Sequence, residues 1–197
     1  MKIQSFKPWV KSQFMLALAM LCLASIVYSQ TNAQRVYRTK TGKTIIITEK
    51  KNTMGRSDIV VSMKGLKTGT VSFTDQNPIE QVIKEDLDGN GYDEIFIITS
   101  SRDKDSWGAI MGVASNRDKS ITPIYVPEMD EASQAAGQAF EGYRGFDEFE
   151  VMENTLARRF PLFNAAGQKT GKSRYIYYKV KAGEAGWKLV INKFDTF

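Results

Sequence analysis

Glu94–Ser100, the stretch EIFIITS, carries the clearest signal of the fold in this sequence. In an extended chain its large apolar residues fall on both sides, with Ile95 and Ile97 on one face and Phe96 and Ile98 on the other. A strand that is apolar on both faces must be covered on both. We therefore predict a central strand inside a β-rich domain.

Short runs of β-branched and aromatic residues continue before and after this strand, and turn residues separate them at short intervals. This pattern predicts an all-β fold of mostly antiparallel sheets, sandwich-like in architecture. One segment differs, because MDEASQAAGQAFEGY (Met129–Tyr143) is rich in Ala, Gln and Glu and lacks a β-branched run. It predicts one short α-helix around 129–141.

The N-terminus has the pattern of a secretory signal peptide over residues 1–33. Three lysines and no acid precede the apolar stretch Phe14–Val27, and small residues follow it. Cleavage after Ala33 fits best, and cleavage after Ser29 is the alternative. The apolar stretch is shorter than the roughly 17–25 residues that span a bilayer, which argues against an uncleaved anchor.

For residues 34–197 we therefore predict a single β-rich domain. We expect it to be periplasmic or secreted and to have no membrane contact after signal cleavage. The lone cysteine, Cys22, lies in the signal, so no disulfide supports the domain. Basic residues are interleaved with acidic ones and form no block, so we expect no nucleic-acid partner.

The sequence contains no histidine. This excludes Ser-His-Asp and Cys-His nucleophile pairs and imidazole zinc sites. Acidic residues at Asp147, Glu148 and Glu150 lie on a predicted strand, and we interpret them as a solvated face. The composition favours binding over catalysis, so we expect a protein that is not an enzyme.

DLDGNGYDE (Asp86–Glu94), directly before the central strand, has two interpretations. Calcium loops place oxygen ligands at alternate positions, as Asp86, Asp88 and Asn90 would, and this loop could close on Glu94. The twelfth position is Ile97 and not a glutamate, so the loop is not an EF-hand. The alternative is a plain turn, since Asp, Asn and Gly tolerate positive φ.

The loop after the central strand is a candidate recognition site. Polar loops on a rigid β scaffold commonly carry binding residues, and an adjacent tryptophan is a typical interface anchor. The alternative is a solvated hairpin loop whose tryptophan folds back into the core. The partner-binding loop that we predict consists of Ser101, Arg102, Asp103, Lys104, Asp105, Ser106 and Trp107.

Several stretches in this order resemble the periplasmic inhibitors of invertebrate-type lysozyme. They are GRSDIVVSMKG (Gly55–Gly65), DLDGNGYDEIFIITSS, the polar loop with its aromatic residue, RRFPLF (Arg158–Phe163) and RYIYYKV. The resemblance extends over most of the chain after the predicted signal.

The resemblance implies a secreted, mostly antiparallel β fold with one loop that enters the lysozyme cleft. There, a serine and a tyrosine of a Ser-Gly-x-Tyr-like motif contact the catalytic carboxylates. Ser106 and Trp107 end the matching loop here; the glycine is absent, tryptophan replaces tyrosine, and Asp103 and Asp105 are added. We therefore expect a binding protein that inhibits a lysozyme by loop insertion. The alternative function is a calcium-dependent surface or carbohydrate-binding module.

Overall fold

The computed structural model describes residues 32–66, 68–184 and 186–197. The predicted signal peptide lies, except for its last two positions, outside the described residues. In the described part of the chain there are twelve strands and one short helix. Their bounds are β1 (Asn32–Arg38), β2 (Thr44–Lys51), β3 (Ser57–Met63), β4 (Thr70–Gln76), β5 (Ile79–Glu85), β6 (Glu94–Ser100), β7 (Gly108–Ser115), β8 (Ile121–Tyr125), α1 (Glu131–Gln134), β9 (Glu148–Met152), β10 (Thr155–Phe163), β11 (Lys169–Gly183) and β12 (Gly186–Thr196).

The strands form two sheets. The first has the order β1-β2-β3-β4, and the second has the order β5-β6-β7-β8-β12-β11-β10-β9. Neighbouring strands are antiparallel except β8 and β12, which pair in parallel where Ile124 lies opposite Trp187. The predicted all-β, mostly antiparallel, sandwich-like fold with one short helix is confirmed.

The central strand is β6, and it is buried on both faces as its sequence predicts. Ile95 and Ile97 pack into a core shared with β2, β3 and β4 of the first sheet. Phe96 and Ile98 point to the opposite side and belong to a second core. The two faces of one short strand therefore belong to two hydrophobic cores.

The second core is enclosed mainly by the eight-stranded sheet itself. Phe160 of β10, Ile176 of β11 and Leu189 of β12 are fully buried in the same cluster as Phe96. Residues from both halves of one sheet can meet in this way only if the sheet curves around them. The parallel β8–β12 pair lies where the two halves join.

A buried carboxylate links the first sheet to the second. Glu49 of β2 is buried and accepts hydrogen bonds from Ser57 Oγ, at 2.8 Å, and from the Ile79 amide, at 3.0 Å. Burial would raise the pKa of Glu49, but these bonds and one from Arg35 outweigh it and hold that pKa below its usual value. Because Ile79 begins β5, this carboxylate fixes the start of the second sheet against the first.

The helix is shorter than the predicted 129–141. Asp130 caps it, and its side chain accepts a hydrogen bond from the Ser133 amide. No α1 residue is buried, so packing does not extend the helix. Beyond Gly137, which has a positive φ of 78°, buried Arg174 donates to the carbonyl oxygens of Gln138 and Ala139 and holds the chain in irregular form.

Residues Asn32 and Ala33 already belong to β1, opposite Lys50 and Glu49. Cleavage after Ala33 would remove these two paired positions, whereas cleavage after Ser29 would keep the whole strand. Among the described residues, no helix has the length and apolar character needed to cross a membrane.

Candidate functional site

The predicted partner-binding loop, Ser101–Trp107, connects β6 to β7 and is closed at its base. The Ser101 amide donates to the Trp107 carbonyl oxygen, and the Trp107 amide donates to Ser101 Oγ, both at 2.9 Å. Within the loop, the Ser106 amide donates to the Asp103 carbonyl at 3.0 Å. Ser106 itself has a φ of 42°, in the left-handed region. These bonds define one backbone conformation for the loop.

A neighbouring segment supports the loop from one side. The Phe146 amide donates to the Asp105 carbonyl oxygen at 2.6 Å. The contact is so close that a Cβ at Gly145 would overlap this oxygen, and Gly145 has a φ of 85°. Only glycine fits such a position. This contact with the Gly145–Phe146 segment leaves Arg102, Asp103 and Lys104 exposed at the tip of the loop. Asp105 and Ser106 are half-buried.

Trp107 lies at the rim of a cavity of about 770 Å³. The residue is 42% exposed, and its ring meets the Tyr143 ring edge-on, with the centroids 5.1 Å apart. The tryptophan therefore neither folds fully into the core nor projects freely into solvent. The cavity walls are largely apolar and include Ile110, Val126, Met129, Phe140 and Leu189.

A buried ion pair lies beneath the loop. Arg158 Nε donates to Asp147 Oδ1 at 2.6 Å, and Arg158 Nη2 donates to the Tyr143 hydroxyl at 2.7 Å. Asp147 Oδ2 accepts from the Gly108 amide at 2.7 Å, which holds the start of β7. Burial raises the pKa of the Tyr143 hydroxyl, which stays protonated and donates to Asp147.

The interpretation of Asp147 as part of a solvated face is wrong, because its side chain is only 1% exposed. Glu148 and Glu150 are exposed, as expected. The partner of Asp147 is Arg158, on the next strand of the sheet, and the sequence pattern around Asp147 carries no sign of it. The pair was missed because charge pairing across strands depends on register.

The sequence pattern also gave no sign of an exposed turn that lies close to the loop. The turn between β2 and β3 approaches the loop, since a Cβ at Gly55 would lie 3.6 Å from Arg102 Nη1. Met54, in the same turn, is 80% exposed. The turn therefore adds an exposed apolar side chain to the surface around Arg102.

The Asp86–Glu94 loop, at the other end of β6, has turn chemistry and also gathers carboxylates. Its side-chain oxygens bind its own amides: Glu94 Oε2 accepts from Leu87 at 2.8 Å, and Asp86 Oδ2 accepts from Gly91 at 3.0 Å. Gly89 and Gly91 have positive φ angles, as the turn chemistry predicts. The loop is thus organised around its carboxylates.

Three of the four predicted calcium ligands come together. One oxygen each from Asp86, Asp88 and Glu94 lies within 4.8 Å of the others. The fourth, Asn90, donates its side-chain amide to Asp88 and uses its oxygen to accept from the Tyr92 amide at 2.8 Å. Burial raises the pKa of Glu94 to about 8, and the charges of Asp88 and Asp86 add to the rise.

The two candidate sites therefore suit different kinds of binding partner. The Ser101–Trp107 loop presents a fixed, charged tip beside an apolar cavity, and the Asp86–Glu94 loop gathers oxygen ligands. Comparison of the chain with protein-family models, curated proteins and solved structures finds no match in any of the three.

Proposed function

We propose that this chain is a secreted or periplasmic binding protein, not an enzyme, that inhibits a lysozyme by inserting the Ser101–Trp107 loop into its cleft. The observation that carries the proposal is the fixed conformation of this loop. It is closed at its base by the Ser101–Trp107 bonds and held from the side by the Phe146 amide.

A fixed loop suits insertion into an enzyme cleft. Ordering a flexible loop on binding costs conformational entropy, and a loop already held in its bound shape avoids much of that cost. The buried Arg158–Asp147 pair fixes Gly108 directly after the loop. The tip can then enter a cleft without rearrangement of its base.

The charge of the exposed tip also suits such a cleft. Glycoside hydrolases act with a pair of carboxylates at the scissile bond. Arg102 and Lys104 are exposed at the tip together with a single acid, Asp103, whereas Asp105 is half-buried against the Gly145 segment. The tip therefore offers a small excess of positive charge to a negative cleft.

Trp107 supplies the apolar part of the recognition surface. Tryptophan is among the residues that contribute most to binding at protein interfaces. Its ring is half-exposed, is held by Tyr143, and borders the apolar cavity. A partner that receives the tip would cover this ring and part of the cavity rim.

Lysozyme activity titrated with the purified protein tests the proposal. Invertebrate, chicken and goose types are assayed side by side, each with calcium and with EDTA. We expect inhibition of the invertebrate type, in line with the resemblance, that saturates at one molecule of protein per enzyme molecule. A complete lack of inhibition of all three types would contradict the proposed function.

A further inference from the structure

A cluster of three carboxylates lies between the end of β5 and the start of β6, away from the Ser101–Trp107 loop. Asp86 follows β5 directly, Glu94 is the first residue of β6, and Asp88 lies between them. One oxygen of each lies within 4.8 Å of the others. Carboxylates this close repel one another when they are ionised, so a cation among them would stabilise their ionised forms.

Two oxygens of the cluster are buried and have no hydrogen-bond partner among the described residues. They are Glu94 Oε1, on a residue that is 1% exposed, and Asp86 Oδ1, on a residue that is 9% exposed. The second oxygen of each carboxylate is bonded, to the Leu87 amide and the Gly91 amide respectively. A buried oxygen without a partner is costly, and a bound cation would satisfy it.

We propose that Asp86, Asp88 and Glu94 form a calcium-binding site that joins β5 to β6. The site is independent of the proposed lysozyme inhibition, because it lies on a different loop.

The cations near the cluster that belong to the described part of the chain do not fill it. Lys40 Nζ lies 3.4 Å from Asp86 Oδ2 and 3.8 Å from Glu85 Oε1 and is half-exposed, so it contacts the oxygen of Asp86 that is already bonded. Lys84 pairs with Asp93 instead. Against three acids, Lys40 supplies a single positive charge, which leaves room for a divalent ion.

The chemistry of the ligands selects calcium. Every donor is an oxygen, a set that suits calcium, magnesium and manganese and not softer metals. Calcium accepts six to eight oxygens in flexible geometry, whereas magnesium demands a near-ideal octahedron. The Asp86–Glu94 loop places carboxylates at its first, third and ninth positions, and water and loop carbonyls can complete the larger shell.

Calcium binding is measured by calorimetry and thermal unfolding on protein purified after expression of the full chain and stripped with EDTA. We expect one ion per chain and a dissociation constant of about 10⁻⁴–10⁻³ M, as in extracellular modules. At calcium 100 times that constant, the unfolding equilibrium constant should fall about 100-fold. Magnesium should need at least about tenfold higher concentrations for the same effect.

Variants separate the site from its surroundings. Glu94→Gln should abolish the calcium response yet be about as stable as wild type in EDTA, because glutamine has nearly the same shape and keeps an oxygen for the Leu87 amide. Asp88→Asn, at the half-buried edge of the cluster, should weaken binding about tenfold or more and is informative even if Glu94→Gln folds poorly. Glu85→Gln, which neighbours the cluster but is not part of it, is the matched control and should keep the response.

Two results would overturn the site. One is calorimetry and unfolding that do not respond to calcium up to about 10 mM, roughly ten times the weakest expected dissociation constant. The other is an Asp88→Asn or Glu94→Gln protein that binds calcium as wild type does. An equal response to magnesium would overturn the assignment to calcium.

Discussion

Replacing Asp147 with alanine should lower the free energy of unfolding by about 3–5 kcal/mol, because it leaves a buried arginine without its counter-charge. Arg158 is buried and bonded to Asp147 Oδ1 at 2.6 Å. The variant also removes the acceptor of the Gly108 amide, so the base of the Ser101–Trp107 loop loosens. Urea unfolding followed by fluorescence measures the loss.

Glu148→Ala is the matched control, because Glu148 is the next residue along the chain and begins β9. Glu148 pairs with Arg159 at 3.1 Å, but both side chains are exposed. Exposed pairs contribute about 0–1 kcal/mol, so this variant should be nearly as stable as wild type. A cost for Asp147→Ala as small as that of Glu148→Ala would refute the structural role of the buried pair.

Phe96→Ala and Ile97→Ala should each be strongly destabilising, although these neighbours point to opposite faces of β6. We expect a loss of about 3–5 kcal/mol for Phe96 and about 2–5 kcal/mol for Ile97, since each deletion leaves a cavity in a closed core. Both side chains are fully buried, one in each core. Thermal and urea unfolding of the two variants measure these losses.

Val36→Ala is the control for this pair, because Val36 is an exposed residue of an edge strand, β1. Its effect should stay within about 0.5 kcal/mol. If Ile97→Ala were as mild as Val36→Ala, only one face of β6 would be covered in solution. The two-core architecture would then be incorrect.

The β architecture could be predicted because β6 and the surrounding strands carry local signals. Apolar residues on both faces of EIFIITS require cover on both sides whatever provides it. The helix was predicted too long, since the Asp130 cap and the alanine-rich composition are local, whereas the contacts of Arg174 with Gln138 and Ala139 are not. Long-range contacts overrode the local preference for a helix.

In the candidate sites, too, local features could be predicted from the sequence and long-range contacts could not. The spacing of Asp86, Asp88 and Glu94 within one loop predicted that they could meet, and the structure brings them together. Asn90 fits the same spacing, but its oxygen bonds to the Tyr92 amide. The cavity beside Trp107 was not predictable, because its walls come from parts of the chain that are far apart in sequence: β7, β10, β11, β12 and the segment between β8 and β9.

The inhibition constant for invertebrate-type lysozyme tests whether the Ser101–Trp107 loop recognises the partner. Wild type is compared with the Ser106→Ala, Trp107→Ala double variant and with Tyr125→Ala, which removes an exposed aromatic residue outside the loop. Loss of an interface anchor costs at least about 2 kcal/mol, so the double variant should inhibit about 30-fold or more weakly, with Tyr125→Ala close to wild type. Equal inhibition by wild type and the double variant would contradict the assignment of this loop.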